Sequence, residues 1–473
     1  MLINKTKIVA TIGPASSDEK ILEGLIEAGV NVCRLNFSHG THEEYKKVIK
    51  TVRSINKKKN LNTAILGDLQ GPKLRIGDVE NGEIELYTGN EITLVTTEIV
   101  GTQKHIYVNY PKLSNDIEPG NMILIDDGKI ILKAIEIKKK AIKAKIIQGG
   151  VLTPNKGVNL PNSEISMPCL TAKDLIDLSF ILENNLEWIA LSFVRSPEDI
   201  LKVQKIVAKK KKKSRVIAKI EKPEAIKNIN PIIKIADGIM VARGDLGVEI
   251  PMQNVPIIQK EIVIKCRRAS KPVIIATQMM ESMIENLSPT RAEVNDVANA
   301  VMDGADAVML SAETSLGKHP IAVIKAIHKI VAKSETFDEI YHHYKIPRFD
   351  NNRYISDSVC FNAAKLAERV SAKAIVTMSF SGYTGLKISS YRPKANIFVF
   401  TANEAILNTL SLIWGVRGFY YDKFESTDDT IFDIKKKLKR KDLVKSGDLI
   451  INLTSMPISE KGQSNMLKLS RII

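Results

Sequence analysis

The sequence predicts an α/β fold: an eight-stranded parallel barrel ringed by helices, interrupted by an all-β insertion and followed by a separate α/β domain. Three observations predict it. Short β-branched apolar runs alternate with amphipathic helical segments from residue 7 to about residue 334, the pattern of buried parallel strands joined by crossover helices. The alternation stops between residues 72 and 168, where period-two runs and tight-turn dipeptides replace it. Charged and polar residues recur where the apolar runs of the alternating regions end.

In chain order, Lys7 to Ile12 reads as a strand, Asp18 caps a helix to about Ala28, Val30 to Asn36 is a second strand, and a helix follows from about Thr41 to Lys58. Thr63 to Asp68 is the third strand. In the insertion, Asn81-Gly82, Gly120-Asn121 and Asp127-Gly128 mark turns expected to join hairpins. A helix from about Thr171 restarts the rhythm, with strands at Trp188 to Phe193, Arg215 to Glu221, Gly238 to Arg243, Pro272 to Thr277 and Ala307 to Leu310, and a last helix from about Pro320 to Ser334. Three strands before the insertion and five after it make the eight of a TIM (β/α)8 barrel. Because the insertion leaves after the third strand, it emerges on the reactive face as a β-barrel lid that can close over the mouth. Beyond Glu335, helices at Ser356 to Val370, after Gly382 and from Ala405 alternate with strands at Lys373 to Met378, Ile397 to Thr401, and a final pair near Asp448 to Leu453 and Met466 to Ile472. These predict a mostly parallel sheet. The expected domains are 1–71 and 169–338 for the barrel, 72–168 for the lid and 339–473 for the C-terminal α/β regulatory domain.

At 473 residues and 44% hydrophobic content, the chain can fill several cores. No secretory leader pattern and no apolar run of membrane-spanning length is present, which predicts a cytoplasmic protein away from membranes. Cys33, Cys169, Cys266 and Cys360 lack CxxC spacing and read as core packing. A net charge of +16 raises the question of nucleic acid. Its lysine runs (Lys57 to Lys59, Lys138 to Lys140, Lys209 to Lys213, Lys435 to Lys437) read mostly as helix ends and exposed hairpins, without interleaved aromatics. No nucleic-acid partner is predicted, and small anionic substrates benefit from the same field.

TIM barrels carry their reactive groups at the C-terminal ends of the strands. Those ends hold Arg34 and Asn36, Asp68, Lys219 and Glu221, Arg243 and Asp245, Thr277 and Gln278, and Ser311 and Glu313. Lys219 with Glu221, and Arg243 with Asp245, are two apart and are expected to share a strand face. Glu221 and Asp245 are hard oxygen ligands suited to Mg²⁺ or Mn²⁺. Lys219 and Arg34 add positive charge beside them, an arrangement that favours phosphoryl transfer. Arg243-Gly244-Asp245-Leu246-Gly247 offers backbone N–H groups to a substrate carboxylate. A lyase or aldolase using Lys219 as a Schiff base is the alternative chemistry, and a catalytically silent binding protein the alternative class. Glu221 favours the ammonium form of Lys219 and argues against the Schiff base.

The segments Val32-Cys-Arg-Leu-Asn-Phe-Ser-His-Gly40, Leu66-Gly-Asp-Leu-Gln-Gly-Pro-Lys73, Asn155-Lys-Gly-Val-Asn-Leu-Pro161, Ala218-Lys-Ile-Glu221, Met240 to Glu249, Ala276 to Ser282 and Met309-Leu-Ser-Ala-Glu-Thr314 together resemble the pyruvate kinase family, nearly end to end. The resemblance implies transfer of the phosphoryl group of phosphoenolpyruvate to ADP, giving pyruvate and ATP in glycolysis, by a homotetramer. It assigns Mg²⁺ to Glu221 and Asp245, the transferring phosphoryl group to Lys219 and Arg34, the substrate carboxylate to Gly244, Asp245 and Thr277, and the nucleotide to Arg75 and Lys156. The proton donor to the enol carbon is left unassigned, with a water relay expected near Thr277.

Asn36, Ser38 and Asp68 match the family's monovalent-cation residues, and their alternative is a loop hydrogen-bond cluster. Lys73 stands where many members have Glu and need K⁺. Its ammonium supplies charge that K⁺ would bring, so K⁺-independent activity is expected. The loop Thr377-Met-Ser-Phe-Ser-Gly-Tyr-Thr-Gly385, with Thr377, Ser379, Ser381, Gly382 and Thr384, corresponds to the loop that binds phosphorylated activators such as a phosphorylated sugar or nucleotide. Tyr383 replaces a common basic residue there, which argues for a monophosphate effector or none.

Overall fold

The computed structural model describes residues 4–161, 163, 166–348, 350–423, 426–456 and 462–473; residues 1–3, at the start of the N-terminal stretch read above, lie outside them. The eight expected barrel strands are Lys7–Thr11, Val32–Asn36, Ala64–Asp68, Trp188–Leu191, Arg215–Ile220, Gly238–Ala242, Val273–Ala276 and Ala307–Leu310. They close into one parallel ring in which each strand pairs with its sequence neighbours, the eighth returning to the first through Ala307 and Lys7. Outward residues such as Ile8, Leu35 and Ile65 pack under the helices, while Val9, Leu66, Trp188, Ile217, Met240 and Ile274 fill the interior. Burial on both faces is why these strands read as uninterrupted apolar runs.

Local signals fix the helix starts. The Asp18 carboxylate accepts the N–H groups of Lys20 and Ile21 at the head of Glu19–Ala28, and Thr41 and Thr171 form capping boxes with Glu44 and Asp174. Each cap satisfies donors that the helix leaves open, a contribution of about 1 kcal/mol.

The insertion has its own apolar core, including Ile92, Leu94, Ile123, Leu132 and Ile142. Its six-stranded sheet runs in the order Val158–Asn159, Met122–Ile125, Ile130–Lys138, Ala141–Gln148, Glu91–Val95 and His105–Tyr107. Residues 75 and 76 join the two edges through single bridges, Arg75 with Gly157 and Ile76 with Val108. Only one of the three predicted turns joins a hairpin. Asp126, Asp127 and Gly128, all at positive φ, connect Met122–Ile125 to Ile130–Lys138. Asn81-Gly82 lies in a 3-10 turn between segments that pair elsewhere, and Gly120-Asn121 precedes a strand instead of linking two partners.

The C-terminal sheet orders Val416–Tyr420, Asn396–Thr401, Ala374–Met378 and Leu449–Thr454 in parallel, with Met466–Arg471 antiparallel at the edge. The Val416–Tyr420 strand and the helix Thr427–Arg440 were not anticipated from sequence. The Lys435 to Lys437 run leads into the last turn of that helix, which Lys437 opens. Apolar residues of this domain, among them Ile375, Ile397 and Leu410, form one cluster with the barrel interior.

Polar contacts lock the two bodies together at the N-terminal end of the barrel. The Arg392 guanidinium lies 3.1 Å from Asp306 and donates to the Gly304 carbonyl, while Lys5 and Lys7 donate to the carbonyls of Ala395 and Val416. Burial, with Arg417 and Lys5 nearby, pulls the Lys7 ammonium down to about 7, against the attraction of Glu335 and Asp306. In the unfolded chain its value is about 10.4. Between those values the unfolded chain binds a proton that the folded chain has released, so folding is favoured as pH rises. The wild type should therefore gain stability relative to Lys7→Met from pH 7 to pH 9, by up to about 1.4 kcal/mol per pH unit. Thermal unfolding of both proteins across that range measures it, and a pH-independent difference contradicts it.

Candidate active site

The C-terminal ends of the barrel strands bring four charged side chains into one buried cluster. Arg34, from the second strand, donates from Nε to Asp68 Oδ2 at 2.7 Å and from Nη1 to the Thr11 hydroxyl at 2.8 Å. Lys219, from the fifth strand, lies 2.9 Å from Glu221 Oε1 and 3.3 Å from Asp68 Oδ1, and donates to the Ser192 hydroxyl at 2.7 Å. Asp68 and Glu221 are 1% and 2% exposed, so their charges have almost no water to stabilise them and depend on the two cations.

The electrostatics follow from that packing. Burial opposes the charge on Lys219, but Asp68 and Glu221 outweigh it and raise the ammonium above its ordinary value. Asp68 is likewise penalised by burial and yet held below the usual carboxylate range by Lys219 and Arg34. Glu221 is raised, first by burial and also by the Asp245 carboxylate, against the pull of Lys219. Two carboxylates that favour the ammonium form of Lys219 oppose its use as a Schiff-base nucleophile and argue against the lyase or aldolase chemistry.

The second cation–carboxylate pair is arranged differently from expectation. The sixth strand ends at Ala242, and Arg243 to Glu249 is a short helix. Residues two apart on a helix point to different sides. Arg243 accordingly turns to Asp296, at 2.7 Å, and to the carbonyls of Thr277 and Gln278. The Gly244 N–H is not free, because it donates to the Thr277 hydroxyl at 2.8 Å. Thr277 itself has φ +70, a left-handed conformation that a β-branched residue adopts only when its surroundings impose it. Glu313, also at a strand end, ties loops together by accepting the N–H groups of Met280 and Ser311.

Asp245, Gly244 and Thr277 line a cleft of about 780 Å³ that also includes Lys73 and Asp127 of the insertion. The insertion is anchored there by Asn159, which donates to Glu249 at 2.8 Å. Arg75 and Lys156 are far apart in sequence but adjacent across the bridge between residues 75 and 157. Arg75 donates to the Asn155 carbonyl, and Lys156 lies 3.1 Å from Asp126. Burial first, and then the nearby charges of Arg75, Lys73, Arg34 and Lys173, hold His39 below its ordinary range.

Asn36 and Asp68 are paired across neighbouring strands, and Asn36 accepts the Ser38 N–H. The Asp68 carboxylate faces Arg34 and Lys219, leaving Oδ1 buried without a hydrogen bond. In the C-terminal domain, Ser379, Ser381 and Thr384 line a cavity of about 590 Å³. The Gly382 N–H donates to the Ser379 hydroxyl, and Thr377 is buried beneath. Tyr383 donates to Asp357 and stacks under the Arg353 guanidinium.

Sequence reasoning missed Ser192 and Phe193 after the fourth strand. Ser192 accepts from Lys219, and the Phe193 N–H donates to Glu221 Oε2 at 2.7 Å. A lone hydroxyl at a strand end was the available signal. For a divalent cation, Glu221 and Asp245 offer hard carboxylate oxygens, and the Asp245 charge contributes to raising Glu221. Among the described residues, no group of three or more His, Cys, Asp or Glu side chains forms a closed metal cage. Two carboxylates suit a hard cation that shares its coordination with water and substrate.

Asp68→Asn should lower stability by about 3–5 kcal/mol, because two buried cations lose the carboxylate they share. Asn36→Ala, beside it but outside the ion pairs, should cost under about 1 kcal/mol. Denaturant unfolding distinguishes them, and equal losses would make Asp68 one more loop hydrogen-bonding residue.

Comparison with known proteins shows the family. The family described as "Pyruvate kinase, barrel domain" matches residues 3–324, and "Pyruvate kinase, alpha/beta domain" matches residues 357–470. The chain is 42% identical over 467 residues to a pyruvate kinase of Geobacillus stearothermophilus, covering 98% of this chain and 80% of that protein. It is 41% identical over 475 residues to one of Clostridium perfringens, covering 99% and 100%. A crystal structure of a pyruvate kinase from Cryptosporidium parvum superimposes with a TM-score of 0.93 at 34% identity, covering 99% of this chain and 96% of that one. The chain belongs to the pyruvate kinase family.

Proposed function

We infer that the Arg34, Asp68, Lys219 and Glu221 cluster, with the cleft beside it, is where this phosphotransferase moves the phosphoryl group of phosphoenolpyruvate to ADP, giving pyruvate and ATP. The observation that carries the assignment is Lys219, a buried ammonium kept charged by two carboxylates. Fixed charge in a low-dielectric site stabilises the negative charge of a transferring phosphoryl group without reorganising at the moment of reaction. Arg34, clamped by Asp68 and Thr11, supplies a second such cation. Neither has to gain or lose a proton.

Gly244, Asp245 and Thr277 are assigned to the carboxylate end of the substrate, with Thr277 orienting the Gly244 backbone through its hydroxyl. Members of the family generally need a divalent metal, and Glu221 with Asp245 would hold Mg²⁺ or Mn²⁺, which when bound supplies positive charge to the phosphate oxygens. Arg75 and Lys156 are assigned to ADP. Their position on the insertion means that closing it would deliver the nucleotide and exclude water that competes for the phosphoryl group.

Lys73, on the wall of the cleft with Asp245, is assigned the charge of a monovalent cation, so that Asn36, Ser38 and Asp68 serve as structural neighbours. The loop Thr377, Ser379, Ser381, Gly382 and Thr384 is proposed as the seat of a phosphorylated effector, supported by the cavity it lines. A cytoplasmic homotetramer acting in glycolysis completes the reading; four buried, unpaired cysteines accord with a reducing compartment.

The test is pyruvate formation from phosphoenolpyruvate and ADP, measured with Mg²⁺, with chelator, and with K⁺ present or absent. Turnover should require the divalent cation and change less than about twofold with K⁺, while Lys73→Glu should lose at least about tenfold without K⁺ and recover with it. Wild-type turnover only in K⁺ would remove the role given to Lys73 while leaving the enzyme assignment intact.

A further inference from the structure

A second concentration of positive charge lies at the opposite end of the barrel, between its N-terminal face and the C-terminal domain. Two cavities open there, of about 480 and 560 Å³, and Arg268, Lys345 and Lys387 line both. Arg215 and Lys271 border the first, and Arg267 the second. Both volumes suit a small organic ligand.

Local charge compensates these cations only in part: Asp237, whose charge acts on Arg215 and Lys271, lines the first cavity with Asp350, while no carboxylate lines the second among the described residues. Among the described residues, Arg215, Arg267, Arg268, Lys271 and Lys345 have no carboxylate within ion-pair distance, 4.0 Å. Lys387 is paired with Asp357, which also accepts from Tyr383 and Asn351. Neighbouring groups register the resulting potential. Burial together with Arg392 and Arg268 lowers Arg267 to about 10, and burial together with Arg267 and Arg392 lowers His343 to about 4. In the second cavity Arg267, Arg268, Lys345 and Lys387 face one another without a lining carboxylate, and an entering anion would relieve their mutual repulsion.

We propose that this interdomain cleft is an anion site for a small molecule carrying a phosphoryl group, distinct from both the barrel mouth and the cavity lined by residues 379–384. Arg268, shared by both cavities, with Arg215 in the first or Arg267 in the second, provides planar forks that match phosphate oxygens, and the lysines provide point charge. The cations converge in a concavity instead of running along an exposed face, which favours a small anion over a polymer backbone. Its location gives the ligand leverage. Arg215 begins the strand that carries Lys219, and Lys271 precedes the strand that ends beside Thr277. From the other side, Lys387 lies on the helix Tyr383–Ser390, whose first residue also lines the 590 Å³ cavity. Arg215 already donates to the Ser381 carbonyl. An anion here would bridge the bases of the catalytic strands and the C-terminal domain.

Calorimetric titration of the full chain with inorganic phosphate, a hexose 6-phosphate and adenosine 5′-monophosphate tests the site and separates the sources of the phosphoryl group. At least one probe should bind, and R268Q/K345Q, which removes two exposed cations, should weaken it by about tenfold or more. S455E, which adds a carboxylate to the wall of the other C-terminal cavity, and the charge-matched surface control K139Q/K140Q should leave that binding within about twofold. The proposal is overturned if no probe binds at millimolar concentration, if R268Q/K345Q binds like the wild type, if S455E abolishes all binding, or if K139Q/K140Q weakens it equally. Because binding is read directly, the outcome is independent of the activity assigned to the barrel mouth.

Discussion

The active face depends on one buried carboxylate shared by two cations. Asp68 fixes Arg34 through a hydrogen bond and holds Lys219 charged from 3.3 Å, while Glu221 holds Lys219 from the other side. Removing these charges from water is expensive, and only their mutual neutralisation makes the arrangement tolerable. Closed strand pairing supplies the rigidity this requires, because neighbouring parallel strands bring residues 34, 68, 192 and 219 to one rim. The fold is thus the means by which four costly charges are kept at fixed separations.

Much of this was legible in the sequence, for identifiable reasons. Strands buried on both faces must be apolar throughout, so all eight stood out, and side-chain caps such as Asp18 and Thr41 marked helix starts. The pairing of Lys219 with Glu221 followed from strand geometry. The same rule failed for Arg243 and Asp245 because both lie in a helix that begins at Arg243. Ser192 and Phe193 were missed because one contributes a hydroxyl and the other a backbone N–H, neither conspicuous beside charged neighbours. The strand Val416–Tyr420 contains Arg and Gly and lacks an apolar run. The meeting of Arg75 with Lys156 depends on long-range backbone pairing of residues 74–76 with residues 155–158 that no local pattern reports.

The two ends of the barrel are built to different purposes. At the C-terminal ends of the strands, acids and bases are paired and buried, which suits chemistry in a fixed field. At the N-terminal ends, apolar packing continues into the C-terminal domain, and Arg392, Lys5 and Lys7 cross the junction to carbonyl and carboxylate partners. These contacts are buried, so the C-terminal domain is fixed to the base of the barrel by both apolar and polar partners.

The central claim is that Asp68 acts on turnover through Lys219, whose charge it holds. A double-mutant cycle on turnover, comparing Asp68→Asn, Lys219→Met and the pair, tests it most directly. The account predicts strong non-additivity, with the double variant little slower than Lys219→Met alone. Independent, additive losses would contradict it and would mean that Asp68 contributes to the reaction by a route that does not pass through Lys219.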